Sequence, residues 1–327
     1  MSALNSIDAA PVAAQAAASI PEIDLEGPPA RTAALLRQGC EDWGLFHVAG
    51  HGIGADLLAA VHDTSRTFFA RPWSDKQRLS RTAENPWGYF DRELTKTRRD
   101  RKQIFDIACH DAPDAEAGAP FGGDTPWPDE PAAFRMVMTD YAGACEALSQ
   151  RLLAVLAGTL GITAETLLGR FQPSHSSFLR LNYYPVDDAL AADLGPSDLG
   201  IHHHTDAGAL TVLLQDRVSG LQLFKNGLWH DVAPLEGALT VNIGDMVQVW
   251  SNDRYAAPIH RVRAMTREDR LSTAFFYNPS YAAVIAPETV DAAARYRPFG
   301  WGEFRAGRAA GDFANYGTEV QISDYRV

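Results

Sequence analysis

The chain is poor in cysteine: Cys40, Cys109 and Cys145 are the only three among 327 residues, and no two form a C-x-x-C pair. Spacing that wide excludes a disulfide framework and a thiolate metal site, and it predicts reduced thiols in a reducing compartment. Basic charge is scarce as well. Lys and Arg number 29 against 41 Asp and Glu, for a formal net charge of −12. A phosphate backbone needs a basic face, so nucleic acid is not expected as a partner. No run is apolar for long enough to span a membrane. The opening MSALNSIDAAPVAAQAAAS has neither a basic n-region nor a sustained apolar stretch. Residues 1–18 therefore read as a flexible Ala-rich lead-in, and the protein as cytoplasmic. No repeat or low-complexity block is visible beyond that start.

What is present is globular. Hydrophobic residues make up 46% and charged residues 21%, enough for a sizeable core, and barrels or sandwiches of about this size are often single units. The first half reads as mostly helical. Residues 30–42 carry a helical pattern that ends near Trp43-Gly44, Leu45 to Val48 form a short strand, and residues 54–70 form an amphipathic helix stopped by Pro72. The longest helix begins near Pro131. Phe134, Val137, Tyr141, Cys145, Leu148, Leu152 and Val155 recur at three- and four-residue steps, and Gly161 is the natural stop.

From residue 176 the pattern changes. SSFLRLNYYP, LTVLLQD, LQLFKN, GLWHDV, ALTVNIGD, QVWSND, IHRVRA and RLSTAFFYNP are short, rich in β-branched and aromatic residues, and separated by turn formers. Asn226-Gly227 predicts a two-residue hairpin. Eight or so short strands without intervening helices predict a double-sheet jelly roll rather than a parallel sheet. The expected fold is a mainly β core with flanking helices: a double-stranded, cupin-like β-helix with an N-terminal helical region packed on it. The divisions are 19–172 mostly helical, 173–285 the jelly-roll core, and 286–327 a C-terminal segment with a helix around 300–315. No linker separates them, so 19–327 reads as a single unit.

His204-Thr205-Asp206 is the first constellation with chemistry in it. Alternate residues of a strand point the same way, so an imidazole and a carboxylate would share one face. His260, on a later strand, would supply a third ligand. Two imidazoles and a carboxylate on one face of a metal leave the opposite face open, as in non-haem Fe(II) sites that activate dioxygen. Arg270-Leu271-Ser272 is the second. Arg270 offers a rigid fork matched to a carboxylate, and the Ser272 hydroxyl on the same face can donate to the same group. Asn182 and Tyr184, in RLNYYP, also share a face, with Tyr183 turned the other way. In HHHTD, His202 and His203 read as loop histidines. The basic stretch from Arg92 to Lys102 reads as a solvated hairpin or loop.

Around these residues the chain resembles the isopenicillin N synthase-like family of Fe(II)/2-oxoglutarate-dependent dioxygenases. The resemblance runs through HTDAGALTVLLQD, GLQLF, VNIGDMVQVWSND, HRV and RLSTAFFYNP, and in the first half through IPEIDL, GCEDWGLFHVAGHGI and DRKQIFDI. It implies Fe(II) on His204, Asp206 and His260. It implies 2-oxoglutarate as co-substrate, its distal carboxylate on Arg270 and Ser272, with Asn182 and Tyr184 near its carboxylates, O2 consumed and succinate and CO2 formed. The carboxylate of Asp206 argues for oxygenation, since related halogenases lack it. Hydroxylation of a small organic molecule is the default outcome. In related enzymes the region of Arg92 and Lys96 lies near the substrate mouth, so either residue is a candidate for meeting a substrate carboxylate. Two other readings stand beside this one: an oxidase of the same fold that needs no 2-oxoglutarate, which uses the same R-x-S pair, and a non-enzymatic jelly-roll binding protein.

Overall fold

The computed structural model describes residues 7–13, 20–96, 98–109, 122–129, 132–188, 199–289, 293–312 and 320–327. Strand β1 (Glu22–Asp24) leads through helix α1 (Pro29–Asp42) to β2 (Leu45–Ala49), which pairs with β1 in parallel. Pro at the first helical position costs α1 no hydrogen bond. Gly44 turns the chain into β2 at φ +65°, where a Cβ would lie 2.4 Å from the Ala256 carbonyl. Then come α2 (Ala55–Phe69), α3 (Trp73–Gln77), β3 (Gly88–Phe90), the hairpin of β4 (Leu94–Thr95) and β5 (Arg98–Arg99), and β6 (Gln103–Ala108). Helix α4 (Ala132–Leu160) is the longest, followed by α5 (Ala164–Leu168). It buries Phe134, Met138, Tyr141, Cys145, Leu148, Leu152 and Leu156 against α1, α2 and the back of the large sheet. Each such buried Leu or Phe contributes about 1.5–3 kcal/mol.

The β core holds β7 (Phe178–Tyr184), β8 (Ile201–His204), β9 (Leu210–Gln215), β10 (Leu221–Lys225), β11 (Leu228–Asp231), β12 (Leu239–Ile243), β13 (His260–Val262) and β14 (Arg270–Tyr277). Helix α6 (Asp245–Trp250) follows β12, and α7 (Trp301–Asp312) follows the core. The large sheet runs β1-β2-β12-β9-β14-β7-β6-β3, and the small one β11-β10-β13-β8. Side chains of β7, β9, β12 and β14 meet those of β8, β10 and β13 across one cavity, the interior of a jelly roll. The β10–β11 hairpin turns at Asn226 and Gly227, both at positive φ (52° and 78°), as the Asn-Gly pair predicts.

Three expectations are corrected. QVWSND is not a strand: Asp245 to Trp250 form α6. Met246, Val247, Val249 and Trp250 are all buried, so the apolar run has no polar face to mark its period. The N-terminal half is less purely helical than its pattern suggests, because β1, β2, β3 and β6 extend the large sheet. Two of these strands have only three residues, too few to display an alternation. Finally, part of the lead-in expected to be flexible is pinned. Val12 bridges Trp229 in parallel, the Ala13 N–H donates to the Trp229 carbonyl at 2.8 Å, and the Trp229 N–H to Pro11 at 2.9 Å. The free edge of β11 offers the backbone groups that hold this segment. The rest of the lead-in, residues 1–6 and 14–18, lies outside the described residues.

Candidate active site

Strand β8 ends at His204, two residues short of Asp206. Strand alternation therefore does not place the carboxylate; a pinned loop does. The Gly244 N–H donates to the Ala209 carbonyl (2.8 Å), the Asp245 N–H to Asp206 (2.8 Å) and the Met246 N–H to Gly208 (3.1 Å). A Cβ on Gly244 would sit 2.2 Å from the Gly208 carbonyl. The glycine of VNIGD is thus fixed by the close approach of two backbones, and that approach holds the ligand loop.

His260 opens β13 directly opposite His204 on β8, with ring centroids 4.3 Å apart. Each ring gives its Nδ1–H to a backbone carbonyl two residues upstream, His204 to His202 at 2.8 Å and His260 to Pro258 at 3.0 Å. That fixes the tautomers and leaves both Nε2 lone pairs facing Asp206 Oδ1, at 3.7 and 3.6 Å. Asp206 Oδ2 is taken by the Thr211 hydroxyl (2.5 Å) and the Asn242 amide (2.8 Å), so Oδ1 is the free oxygen. The separations are too long for hydrogen bonds. They are short enough for one ion to lie about 2.1 Å from each atom. The three ligand atoms lie within 4.8 Å of one another, the one such group of three or more metal-binding side chains among the described residues. Burial, then the neighbouring His260, holds the His204 pKa well below its usual value, which keeps the imidazole neutral and able to ligate.

Arg270 lies along the same cavity and is 1% exposed. Its Nη2 donates to Gln215 Oε1 at 3.0 Å, Nε to the Val218 carbonyl at 3.2 Å, and Nη1 to Ser272 Oγ at 3.4 Å; the Tyr184 ring lies 5.0 Å from its Cζ. Among the described residues no carboxylate pairs with it. A buried cation without an anion is costly, and the cavity is where an anion can reach it. The β14–β7 register sets Arg270 opposite Tyr184 and Ser272 opposite Asn182, so all four face the cavity. Asn182 Oδ1 is buried without a hydrogen-bond partner. Tyr183 points away, stacked on Phe69 and donating to Asp269.

Arg92 and Lys96 do not line this cavity. The Arg92 side chain is 65% exposed beside Asp91, and Lys96 turns the β4–β5 hairpin at φ +51°. The inward positions are Glu93, Leu94, Thr95 and Lys102. Nor is the basic stretch a solvated loop throughout. Lys102 is 3% exposed, with its Nζ 2.6 Å from Glu93, which also meets Arg180 at 3.0 Å. His202 and His203 are buried strand residues rather than loop histidines. Their Nδ1 atoms lie 3.0 Å from Asp100 and 2.8 Å from Asp8. Phe178, Arg180, Phe276, Arg305 and Arg308 complete the wall beyond His204, Asp206 and His260. The even-numbered alternation along β7, from 178 to 184, was the sequence signal available for Phe178 and Arg180.

The 2OG-Fe(II) oxygenase superfamily matches residues 175–279, and the N-terminal region of non-haem dioxygenases described from morphine synthesis matches residues 20–130. Gibberellin 3-beta-dioxygenase 3 of Arabidopsis thaliana is 33% identical, over 89% of this chain and 83% of its own length. This chain belongs to the 2OG-Fe(II) oxygenase superfamily. The 1-aminocyclopropane-1-carboxylate oxidase of Musa acuminata is 34% identical, over 82% of this chain and 85% of its own. Among solved structures, JOX2 in complex with 2OG, Fe and JA is 32% identical with a TM-score of 0.76, covering 88% of this chain and 83% of that one. The rice dioxygenase for auxin oxidation is 27% identical with a TM-score of 0.72, covering 94% and 100%. As a member of the superfamily the protein is an Fe(II)- and 2-oxoglutarate-dependent dioxygenase that oxidises a small organic molecule with O2, giving succinate and CO2. No helix among the described residues is long and apolar enough to cross a membrane.

Proposed function

We propose that this oxygenase hydroxylates a small organic molecule held between the β4–β5 hairpin and α7, with iron on His204, Asp206 and His260 and 2-oxoglutarate anchored by Arg270 and Ser272. The carrying observation is the buried Arg270 guanidinium, which lacks a carboxylate among the described residues and shares its cavity with the triad. When bound, the metal supplies dioxygen activation coupled to oxidative decarboxylation of the 2-oxo acid. The chain does the rest. The two Nε2 atoms and Asp206 Oδ1 would hold the ion. Arg270 and Ser272 grip the distal carboxylate, and Asn182 and Tyr184 flank it. Leu213, Leu221, Val262 and Ala274 wall the cavity with apolar surface that excludes water. Phe178 and Phe276, stacked at 4.6 Å, give the substrate side an aromatic face, with Arg180 and Arg305 beside it. Arg92 and Lys96 have no contact role in this reading. The chain from 19 to 327 acts as one cytoplasmic catalytic unit, without nucleic acid or membrane as a partner.

The test is anaerobic addition of Fe(II) with and without 2-oxoglutarate. Chelation of a 2-oxo acid at the open iron positions gives a weak charge-transfer band near about 500 nm. Its appearance supports this reading. Iron binding without the band favours an oxidase of the same fold that takes another carboxylate on Arg270.

A further inference from the structure

Asp100 does not line the cavity, yet it is 0% exposed and touches both the cavity wall and the strand that carries His204. Its Oδ1 accepts the backbone N–H of His202 at 3.1 Å and lies 3.0 Å from the Nδ1 of the same residue. Its Oδ2 accepts the Thr95 hydroxyl at 2.8 Å and faces Lys102 Nζ at 3.4 Å. Its own N–H donates to the Glu93 carbonyl at 3.0 Å. Thr95 and Lys102 line the cavity. The His202 carbonyl is the acceptor for His204 Nδ1–H. His202 Nε2 is buried without a hydrogen-bond partner, so the contact with Asp100 is the one that fixes this ring.

We infer that Asp100 is a positioning residue that clamps the hairpin wall of the substrate cavity to β8. By holding residue 202 at both its N–H and its side chain, it fixes the direction of the carbonyl that orients the His204 ring. Losing the acceptor behind a metal-bound imidazole typically changes metal affinity by about 10- to 100-fold; here that acceptor is the His202 carbonyl, which Asp100 holds in place. The inference rests on the assignment of His204 as an iron ligand. A plainer role, as one more carboxylate in the buried charge cluster of Lys102, Glu93 and Arg180, is separated by Asp106. That carboxylate is 3% exposed and takes Arg180 in a two-pronged contact at 2.7 and 2.8 Å, but makes no hydrogen bond to β8.

The experiment is an anaerobic Fe(II) titration of the full chain by equilibrium dialysis, read as the iron retained per chain, with thermal melting of each apo variant alongside. Asp100→Asn is expected to weaken Fe(II) binding about tenfold or more. Asp106→Asn is expected to leave it within about twofold of the parent even where it lowers the melting temperature. Parent-like affinity in Asp100→Asn, or equal weakening in both variants, overturns the inference. If Asp100→Asn does not fold, Thr95→Val removes one donor at constant shape and is expected to weaken Fe(II) binding by a smaller factor, about threefold; an unchanged affinity there overturns it too. A parent chain that fails to bind Fe(II) refutes the ligand assignment itself, an outcome distinct from either.

Discussion

Replacing Arg270 with Met tests the co-substrate site most directly. The substitution removes a guanidinium that is 1% exposed and has three neutral acceptors, Gln215, Val218 and Ser272. Two opposed effects on stability follow. Gln215 and Val218 lose a donor, at about 1–3 kcal/mol for each group left unsatisfied, while a buried charge without a counter-ion disappears. The fold should therefore survive with a modest change in melting temperature. Binding is different, because nothing offsets the loss. A charge-assisted hydrogen bond to a carboxylate is worth about 1.5–3 kcal/mol. Since about 1.4 kcal/mol is tenfold, the affinity for 2-oxoglutarate should fall roughly 10- to 100-fold. The assay is 2-oxoglutarate titration of the anaerobic Fe(II) form. A 2-oxo acid without the distal carboxylate, 2-oxobutyrate, supplies the control. The parent should discriminate against it by a factor similar to the loss in Arg270→Met, and the variant should scarcely discriminate at all. If Arg270→Met keeps the parent's preference for the dicarboxylate, Arg270 does not hold that group.

Four further outcomes are expected. Asp206→Ala should abolish turnover with the melting curve of the apo chain little changed, and full activity in it would refute the ligand set. Asn242→Leu, which strips one donor from Asp206 Oδ2, should cost about tenfold or more in Fe(II) affinity by titration; unchanged affinity would mean that this amide does not orient the ligand. Gly244→Ala should displace the ligand loop, because its Cβ would meet the Gly208 carbonyl at 2.2 Å; a variant that binds Fe(II) as the parent does would show that the loop can move without harm. Asp253 does not line the cavity. Burial opposes its ionisation, but hydrogen bonds from Arg326 at 2.8 and 2.9 Å, with Tyr296 and Gln248, hold its pKa down to about 2, against an ordinary 3.8. A depressed carboxylate stabilises the fold above its unfolded pKa and loses that contribution as pH falls through the folded one. The melting temperature of Arg326→Ala should therefore lie below the parent's at pH 7 and converge on it between about pH 4 and pH 2; a gap independent of pH would contradict this.

How far the site was legible differs from residue to residue, and the reason is physical. Arg270, Ser272, Asn182 and Tyr184 were legible because they lie on regular strands, where a period of two carries from sequence to space and the β14–β7 register joins the pairs. His204 and Asp206 were found by the same rule, although only His204 is on the strand. The pair survives because the backbone of residues 244–246 hydrogen-bonds the backbone around Asp206. A contact between two main chains leaves almost no side-chain pattern, only the glycine of VNIGD. The hairpin misled for a related reason. Charge in a run ordinarily means solvent, but here Lys102 meets Glu93 across the hairpin, Glu93 meets Arg180 on β7, and Asp100 meets His202 on β8. Pairing over such sequence distances has no local signal. What marks it is the arithmetic of burial: a lysine 3% exposed and a carboxylate 0% exposed persist only if each is paired. The residues hardest to read are thus the ones joining the hairpin wall of the cavity to the strand that carries His204. Their importance does not depend on touching either ligand, which is why the comparison of Asp100→Asn with Asp106→Asn bears on the architecture of the site as well as on one residue.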